Sequence, residues 1–298
     1  MAGWQDFTET RVPVRGGELA VVRWAAREPG AADLPAIMLV HGITANALAW
    51  AGVAEQVAGR AELIAVDLRG RAGSRDIEGP WSIDQDAADP VAVLDALGLD
   101  QVVLAGHSLG AFVAAAAVAV SPERFTRLVA LDGGLGFPLP DGVDPDAVLE
   151  AVVGPAIRKL SISFADEEAY LDFHRVHPAF QGNWTPQLTA YLTRDTRRLP
   201  DGTVVSSCRE EAIRADGKQI LLDEKLRTNI NNLSCEVDFL YAARGLLNEP
   251  QALYDESRLA LGGLDPTRVH VTFVPDTNHY TMLAPGVGAQ AVAQALLG

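Results

Sequence analysis

The chain has 298 residues, 39 acidic against 24 basic side chains, a net charge of −15 and an apolar share of 48%. That share is too high for a disordered chain, and two cysteines are too few for a disulfide scaffold. No basic surplus exists to displace counterions from nucleic acid or to hold the chain on an anionic membrane, so neither partner is expected.

The length fits one large α/β domain with an inserted subdomain. The first residues carry acids where a secretory leader needs basic charge and then an apolar stretch. The longest apolar run, residues 109–120, falls short of the roughly 20 residues that span a bilayer and reads as a buried core helix. Cytoplasmic residence with Cys208 and Cys235 reduced is therefore the expectation, although sequence leaves a bridge between them open.

In chain order, residues 10–14 and 19–24 read as strands about the turn pair Gly16-Gly17. Short apolar runs follow at 36–40, 63–66, 102–105 and 128–131, ending at His41-Gly42, Asp67, Gly106 and Asp132. Helical patterns at 47–57, 83–97 and 109–120 lie between them. Short, wholly apolar strands separated by helices predict an α/β fold built on a mostly parallel, doubly wound sheet covered on both faces. The alternation breaks after Asp132. Residues 135–234 are rich in charge and helix formers, punctuated by proline, with no clear strand. Strands resume at 237–242 and 269–274, and a helix closes the chain at 286–297. The predicted organisation is a core from 1–134 and 235–298, with 135–234 as a helical cap over the carboxyl ends of the strands, where open α/β sheets bind ligands.

Gly106-His107-Ser108-Leu109-Gly110 matches G-x-S-x-G between a predicted strand and an Ala-rich helix. The serine then sits on a tight turn whose neighbours must be small, with its hydroxyl presented at a helix N-terminus. Ser108 is the expected nucleophile. His279, in a loop just past the last strand, can reach over the sheet edge as its general base. His41 and His107 sit in glycine turns beside the site and are expected to support it, whereas His174, His177 and His270 are assigned no chemistry. Two backbone N–H groups would stabilise an oxyanion: Leu109, which follows the nucleophile, and Ile43, in the loop after the third strand.

With His41-Gly42-Ile43-Thr44, Asp67-Leu68-Arg69-Gly70-Arg71-Ala72-Gly73-Ser74, Gly106-His107-Ser108-Leu109-Gly110 and Asn278-His279, the chain resembles the α/β-hydrolase fold family over nearly its whole length outside the insertion. The resemblance implies that the insertion is a cap domain and that the triad runs in the order serine, acid, histidine. It also implies structural roles for Arg69 and Arg71, paired with carboxylates or carbonyls. The sequence departs from the family at the acid. The usual place, after the strand that follows the cap, carries Asn248, and an amide stabilises an imidazolium poorly. Asp132, at the end of the strand after the nucleophile helix, is the favoured replacement. Glu249, one residue past the usual place, and a site without a proper acid are the alternatives.

A serine nucleophile points to acyl transfer through an acyl-enzyme, on an ester or lactone, with no metal and no nucleotide cofactor. An apolar pocket under the cap is expected to take a medium-sized apolar small molecule, with Trp50, Phe137, Trp184 and Tyr280 assigned to its wall. The 15 acids and 11 bases of residues 133–234 are nearer balance than the rest of the chain and lean toward a neutral substrate. Arg194, Arg197 and Arg198 read as a solvated basic face. Two other readings stand beside the esterase: a hydrolase of carbon–carbon bonds in diketone or polyketide-type compounds, and a ligand-binding descendant without activity. A monomer or homodimer is expected.

Overall fold

A computed structural model describes residues 3–31, 34–137 and 142–298. Residues 138–141 of the expected insertion therefore lie outside the described residues. The antiparallel pair β1 (Phe7–Val14) and β2 (Gly17–Trp24) opens the sheet, and β3 (Ile37–Val40), α1 (Ala51–Val57), β4 (Leu63–Val66), α2 (Ile83–Leu97), β5 (Val102–His107), α3 (Leu109–Val120) and β6 (Phe125–Leu131) follow. The segment between β6 and the next sheet strand holds α4 (Pro145–Leu160), α5 (Glu167–Arg175), α6 (Pro186–Arg194), the strands β7 (Thr196–Arg198) and β8 (Val204–Ser206), α7 (Glu210–Leu222) and α8 (Glu224–Thr228). Then come β9 (Glu236–Arg244), α9 (Glu256–Leu261), β10 (Val269–Asn278) and α10 (Val287–Leu297).

The eight-stranded sheet has the order β1-β2-β4-β3-β5-β6-β9-β10, antiparallel through β1, β2 and β4 and parallel from β4 onward. Alternation along each strand builds the two layers. Met38, Val40, Leu104 and Leu128 face α2 and α3, whereas Ile37, Leu39, Val103 and Val129 face α1 and α10. Because β3, β4, β5 and β6 are covered on both sides, they contain almost no polar residue. That is why they read as short apolar runs.

Two expectations change. The inserted segment contains a small antiparallel hairpin, β7 against β8, where the sequence shows no strand signal. Three-residue strands, one of them Thr-Arg-Arg and the other Val-Val-Ser, are too short to show one. Nor is Arg194 part of a solvated face. Its guanidinium is largely buried against Asp67, at 2.6 Å, and also meets Glu9 at 2.8 Å. Only Arg197 and Arg198 are exposed. The periodicity of α6 cannot reveal this, because the partner lies 127 residues earlier in the chain.

A polar nexus binds the inserted elements to one another. Asp195, which caps the end of α6, accepts from Lys159 of α4 (2.9 Å), from Tyr170 of α5, from Ser206 at the end of β8 (3.0 Å) and from Ser207 just beyond it (2.9 Å). Cys208 and Cys235 are both free thiols. Among the described residues, no helix is long and apolar enough to cross a membrane.

Arg194 tests how the inserted segment is held to the sheet. Asp67 is wholly buried and also accepts from the backbone N–H groups of Ala47 (2.7 Å) and Gly73 (2.9 Å). Removing its cationic partner leaves a buried carboxylate uncompensated. Arg194→Met is expected to cost about 3 kcal/mol in urea unfolding, as breaking a buried pair does. A loss below about 0.5 kcal/mol would show that the pair behaves like a surface bridge.

Candidate active site

The nucleophile turn is shaped by close approach. Ser108 ends β5 and caps α3 with φ 56° and ψ −121°, a conformation that L-residues rarely hold. A Cβ on Gly106 would lie 2.1 Å from the Gly110 carbonyl oxygen, and one on Gly110 would lie 2.2 Å from the Val40 oxygen. The two glycines let β5, α3 and β3 meet at distances no side chain allows. The Ser108 hydroxyl makes no cap hydrogen bond to its own helix, so the turn presents it outward.

Its neighbours come from the carboxyl ends of four other strands. From β10, His279 places its Nδ1 2.6 Å from Asp132 Oδ2. Asp132 follows β6 and is locked to β9: its N–H donates to the Leu240 carbonyl (2.8 Å), and its Oδ1 accepts from the Ala242 N–H (3.1 Å). Both Asp132 and His279 are buried, whereas Ser108 is half-buried. The bond to Asp132 fixes the ring's orientation and makes Nδ1 the donor, leaving Nε2 as the nitrogen able to take a proton. His107 holds the same loop from below, its Nε2 lying 2.9 Å from the His279 carbonyl oxygen.

The other carboxylate considered for this role is turned away. Glu249 accepts from the Leu247 N–H (2.6 Å) and closes its own turn. Asn248 accepts from Arg244 Nε (3.0 Å) and from Asn278 Nδ2 (3.3 Å), so it braces the histidine loop without touching the imidazole.

The loop after β3 is set by His41. Its Nε2 accepts from the Leu68 N–H (2.9 Å), so Nδ1 carries the proton and donates to the Gly42 carbonyl (2.7 Å). In a trans peptide, the Ile43 N–H points opposite to that carbonyl. Fixing the Gly42 oxygen therefore fixes the direction of the Ile43 N–H. Among the described residues, neither the Ile43 N–H nor the Leu109 N–H donates to a protein acceptor. Burial lowers both His41 and His107 to about 3, so each is a neutral hydrogen-bonding strut at ordinary pH.

Above Ser108 and His279 lies a cavity of about 190 Å³. Its wall is Leu48 and Ala49 from the turn after the β3 loop, Leu283 beyond His279, and Phe180, Leu188 and Tyr191 from the inserted segment. Tyr280 lies on the wall as well. The other three aromatics assigned to it do not. Trp50 is wholly buried in the layer with α1, Phe137 packs on Tyr254, and Trp184 stacks under the Arg175 guanidinium. Ring size misleads here. The wall is set by which loops leave the carboxyl edge of the sheet, and the residues just past His41-Gly42 and His279 could have been read on that ground.

A sequence profile for the "alpha/beta hydrolase fold" matches residues 35–206. The chain is similar to an N-formylmaleamate deformylase of Pseudomonas putida, 33% identical over 49% of this chain and 58% of that one. It therefore spans little more than half the length of that relative. It is also similar to a 2-hydroxymuconate semialdehyde hydrolase of a Pseudomonas species, 34% identical over 59% of this chain and 70% of the relative. The lipase LipV of Mycobacterium tuberculosis is 30% identical over 60% of this chain and 74% of its own length.

The geometry yields two predictions. Asp132→Asn is expected to slow phosphonylation of Ser108 by a fluorophosphonate about 10⁴-fold, the scale set by losing the triad acid, with the fold intact. Glu249→Gln should stay within about twofold of the parent. Equal, small effects would remove Asp132 from the triad. The second concerns His41, which is neutral when folded down to about pH 3 but takes up a proton near 6.5 when unfolded. Its stabilisation is thus complete above pH 6.5 and is lost as pH falls toward 3. Buried acids such as Asp86, whose affinity for protons is raised by burial, act in the opposite sense, so a variant must isolate the histidine. The stability advantage of the parent over His41→Gln in urea should shrink by about 1.4 kcal/mol per pH unit between pH 6 and 4.5. A constant difference would show that His41 is not a buried neutral strut.

Proposed function

The chain belongs to the alpha/beta hydrolase fold family, and on that footing we propose that it is a serine hydrolase cleaving a carboxylic ester or lactone through an acyl-enzyme. The observation that carries this reading is the 2.6 Å contact of His279 Nδ1 with Asp132, on a histidine that shares one cavity with Ser108. His279 takes the Ser108 proton as the hydroxyl attacks the acyl carbon, and Asp132 stabilises the imidazolium that forms. The oxyanion of the tetrahedral intermediate is met by the N–H groups of Leu109 and Ile43. Collapse expels the alcohol, protonated by His279. Water, deprotonated by the same ring, then frees the acid. The inserted segment serves as the cap, since Phe180, Leu188 and Tyr191 form the roof over the nucleophile.

The cavity supports the substrate class. A space near 150 Å³ holds a benzene-sized molecule, so about 190 Å³ suits an acyl group of a few carbons to roughly eight. Its polar wall groups, such as Thr44, Gln187 and Tyr280, are neutral, and Gln187 is engaged with Glu55 at 2.9 Å. A neutral, largely apolar acyl group fits that wall.

Hydrolysis of a carbon–carbon bond is the second reading, because the chain is similar both to a deformylase and to a 2-hydroxymuconate semialdehyde hydrolase. It would call for a further cationic or imidazole group beside the scissile carbon. The extra histidine of this wall, His107, is committed to the His279 carbonyl, which favours the ester.

On p-nitrophenyl esters, acetate through hexanoate should turn over at least about tenfold faster than dodecanoate, and Ser108→Ala should abolish the activity. An inert parent, with Ser108 refractory to a fluorophosphonate, would point to a binding protein instead.

A further inference from the structure

Ile43 is gripped from two sides by a helix of the inserted segment. Arg71 is wholly buried and makes three directed contacts: Nε donates to the Ile43 carbonyl (3.0 Å), Nη1 to the Arg69 carbonyl (2.6 Å), and Nη2 to Asp216 Oδ2 (2.6 Å). Asp216 sits on α7, and its side chain is as fully buried as that of Arg71. The next residue, Gly217, presents bare backbone to the Ile43 side chain. A Cβ there would lie 3.5 Å from Ile43 Cδ1 and 2.7 Å from Leu149 Cδ1. Ile213, one turn earlier on α7, belongs to the apolar cluster on which Ile43 packs.

The other oxygen of Asp216, and both oxygens of Asp86 from α2, are buried without a donor. Burial and the neighbouring Asp216 charge raise Asp86 well above the usual carboxylate range.

Resting on the reading of Ile43 as an oxyanion donor, we propose that Asp216 is a positioning residue for the reaction: through Arg71, α7 of the inserted segment sets the angle of the Ile43 backbone and thereby completes the oxyanion hole. The guanidinium fixes the Ile43 carbonyl and His41 fixes the Gly42 carbonyl, so both peptides flanking the Ile43 α-carbon are held. Without Asp216, Arg71 keeps two carbonyl acceptors but loses its one anionic anchor and is free to turn. The inserted segment is then part of the catalytic assembly as well as the cavity roof.

The test is Asp216→Asn, which keeps the shape and removes the charge, assayed on p-nitrophenyl butyrate. An oxyanion forms only after the substrate binds, so kcat should fall on the order of 10- to 100-fold, a part of the 10²–10³ that loss of a whole donor costs. KM should stay within about twofold. Affinity for a trifluoromethyl ketone, whose hemiketal oxyanion occupies the hole, should fall in step with kcat. Asp216→Glu retains the charge but displaces the carboxylate by one methylene and should lie between the two. It also keeps the proposal testable should the asparagine variant fail to fold. Parent-like kcat and ketone affinity in a folded Asp216→Asn protein, or in Asp216→Glu if only that variant folds, would overturn the proposal. So would a change confined to KM. A parent that neither turns over esters nor reacts at Ser108 would instead remove the hydrolase reading on which it rests.

Discussion

Ser108 is held at a positive φ because three backbones crowd the turn: β5 leads in, α3 leads out, and β3 passes beside them. Such a conformation costs of order 1–3 kcal/mol and persists only where the surroundings over-determine it. Here they do, since β5 and α3 are among the most deeply buried elements of the chain. The rest of the site follows from that turn. Ser108 donates its N–H to the Leu131 carbonyl (2.9 Å), which ties the nucleophile to the end of β6. Gly133 lies so near that a Cβ there would sit 2.2 Å from the Ser108 carbonyl oxygen. Asp132, between Leu131 and Gly133, is thereby brought beside the nucleophile by the sheet itself.

Strand order explains why the acid can sit on β6. The order β5-β6-β9-β10 places two strands between the serine and the histidine. A carboxylate at the end of either can reach the imidazole that folds back from β10. At the end of β9 the chain has Asn248, bound by Arg244 and Asn278. At the end of β6 it has Asp132, whose φ of 46° is one that aspartate tolerates better than most residues. Because Asp132 bonds to β9 through both its N–H and its carboxylate, a carboxylate at the end of β6 is anchored to the strand after which the family resemblance places the acid.

How much of this was legible in the sequence depends on range. Buried parallel strands must be apolar on both faces, so β3, β4, β5 and β6 announced themselves, as did the turn at Ser108. Asp132 was favoured through the family resemblance, which offers the end of β6 as an alternative place for the acid, and through the two glycines after it, which allow close approach. The hairpin of β7 and β8 left no pattern, being three residues a side. Arg194 was opaque for another reason: its partner lies 127 residues away, and charge spacing along a helix carries no trace of an acid brought near by folding. The structural role of Arg71 on carbonyls and a carboxylate was implied by the family resemblance, but not that the carboxylate would be Asp216, 145 residues on. The aromatic wall failed on physical grounds too. Trp50 has the bulk to line a cavity, but it is wholly buried in the apolar layer that α1 and α10 form on one face of the sheet.

The buried charges between the two parts of the chain raise the question of why apolar contacts do not suffice. Burying an ion pair gains little over a well-packed apolar pair of equal volume, since desolvation offsets most of the attraction. Stability therefore does not account for Arg71. Geometry does. A guanidinium presents five donors in one rigid plane, and Arg71 uses that plane to hold two carbonyls and a carboxylate at once. An apolar side chain would fill the space but could not fix the rotation of a peptide, and lysine could not keep three acceptors in plane. The loop carrying the Ile43 N–H leaves β3 as a turn, and the one backbone–backbone bond that closes it among the described residues runs from the Ala45 N–H to the Gly42 carbonyl at 3.1 Å. Directional side-chain bonds are what give that N–H a defined bearing, and they come from His41 at the start of the loop and from Arg71, which is bound to Asp216 of the inserted segment, outside it.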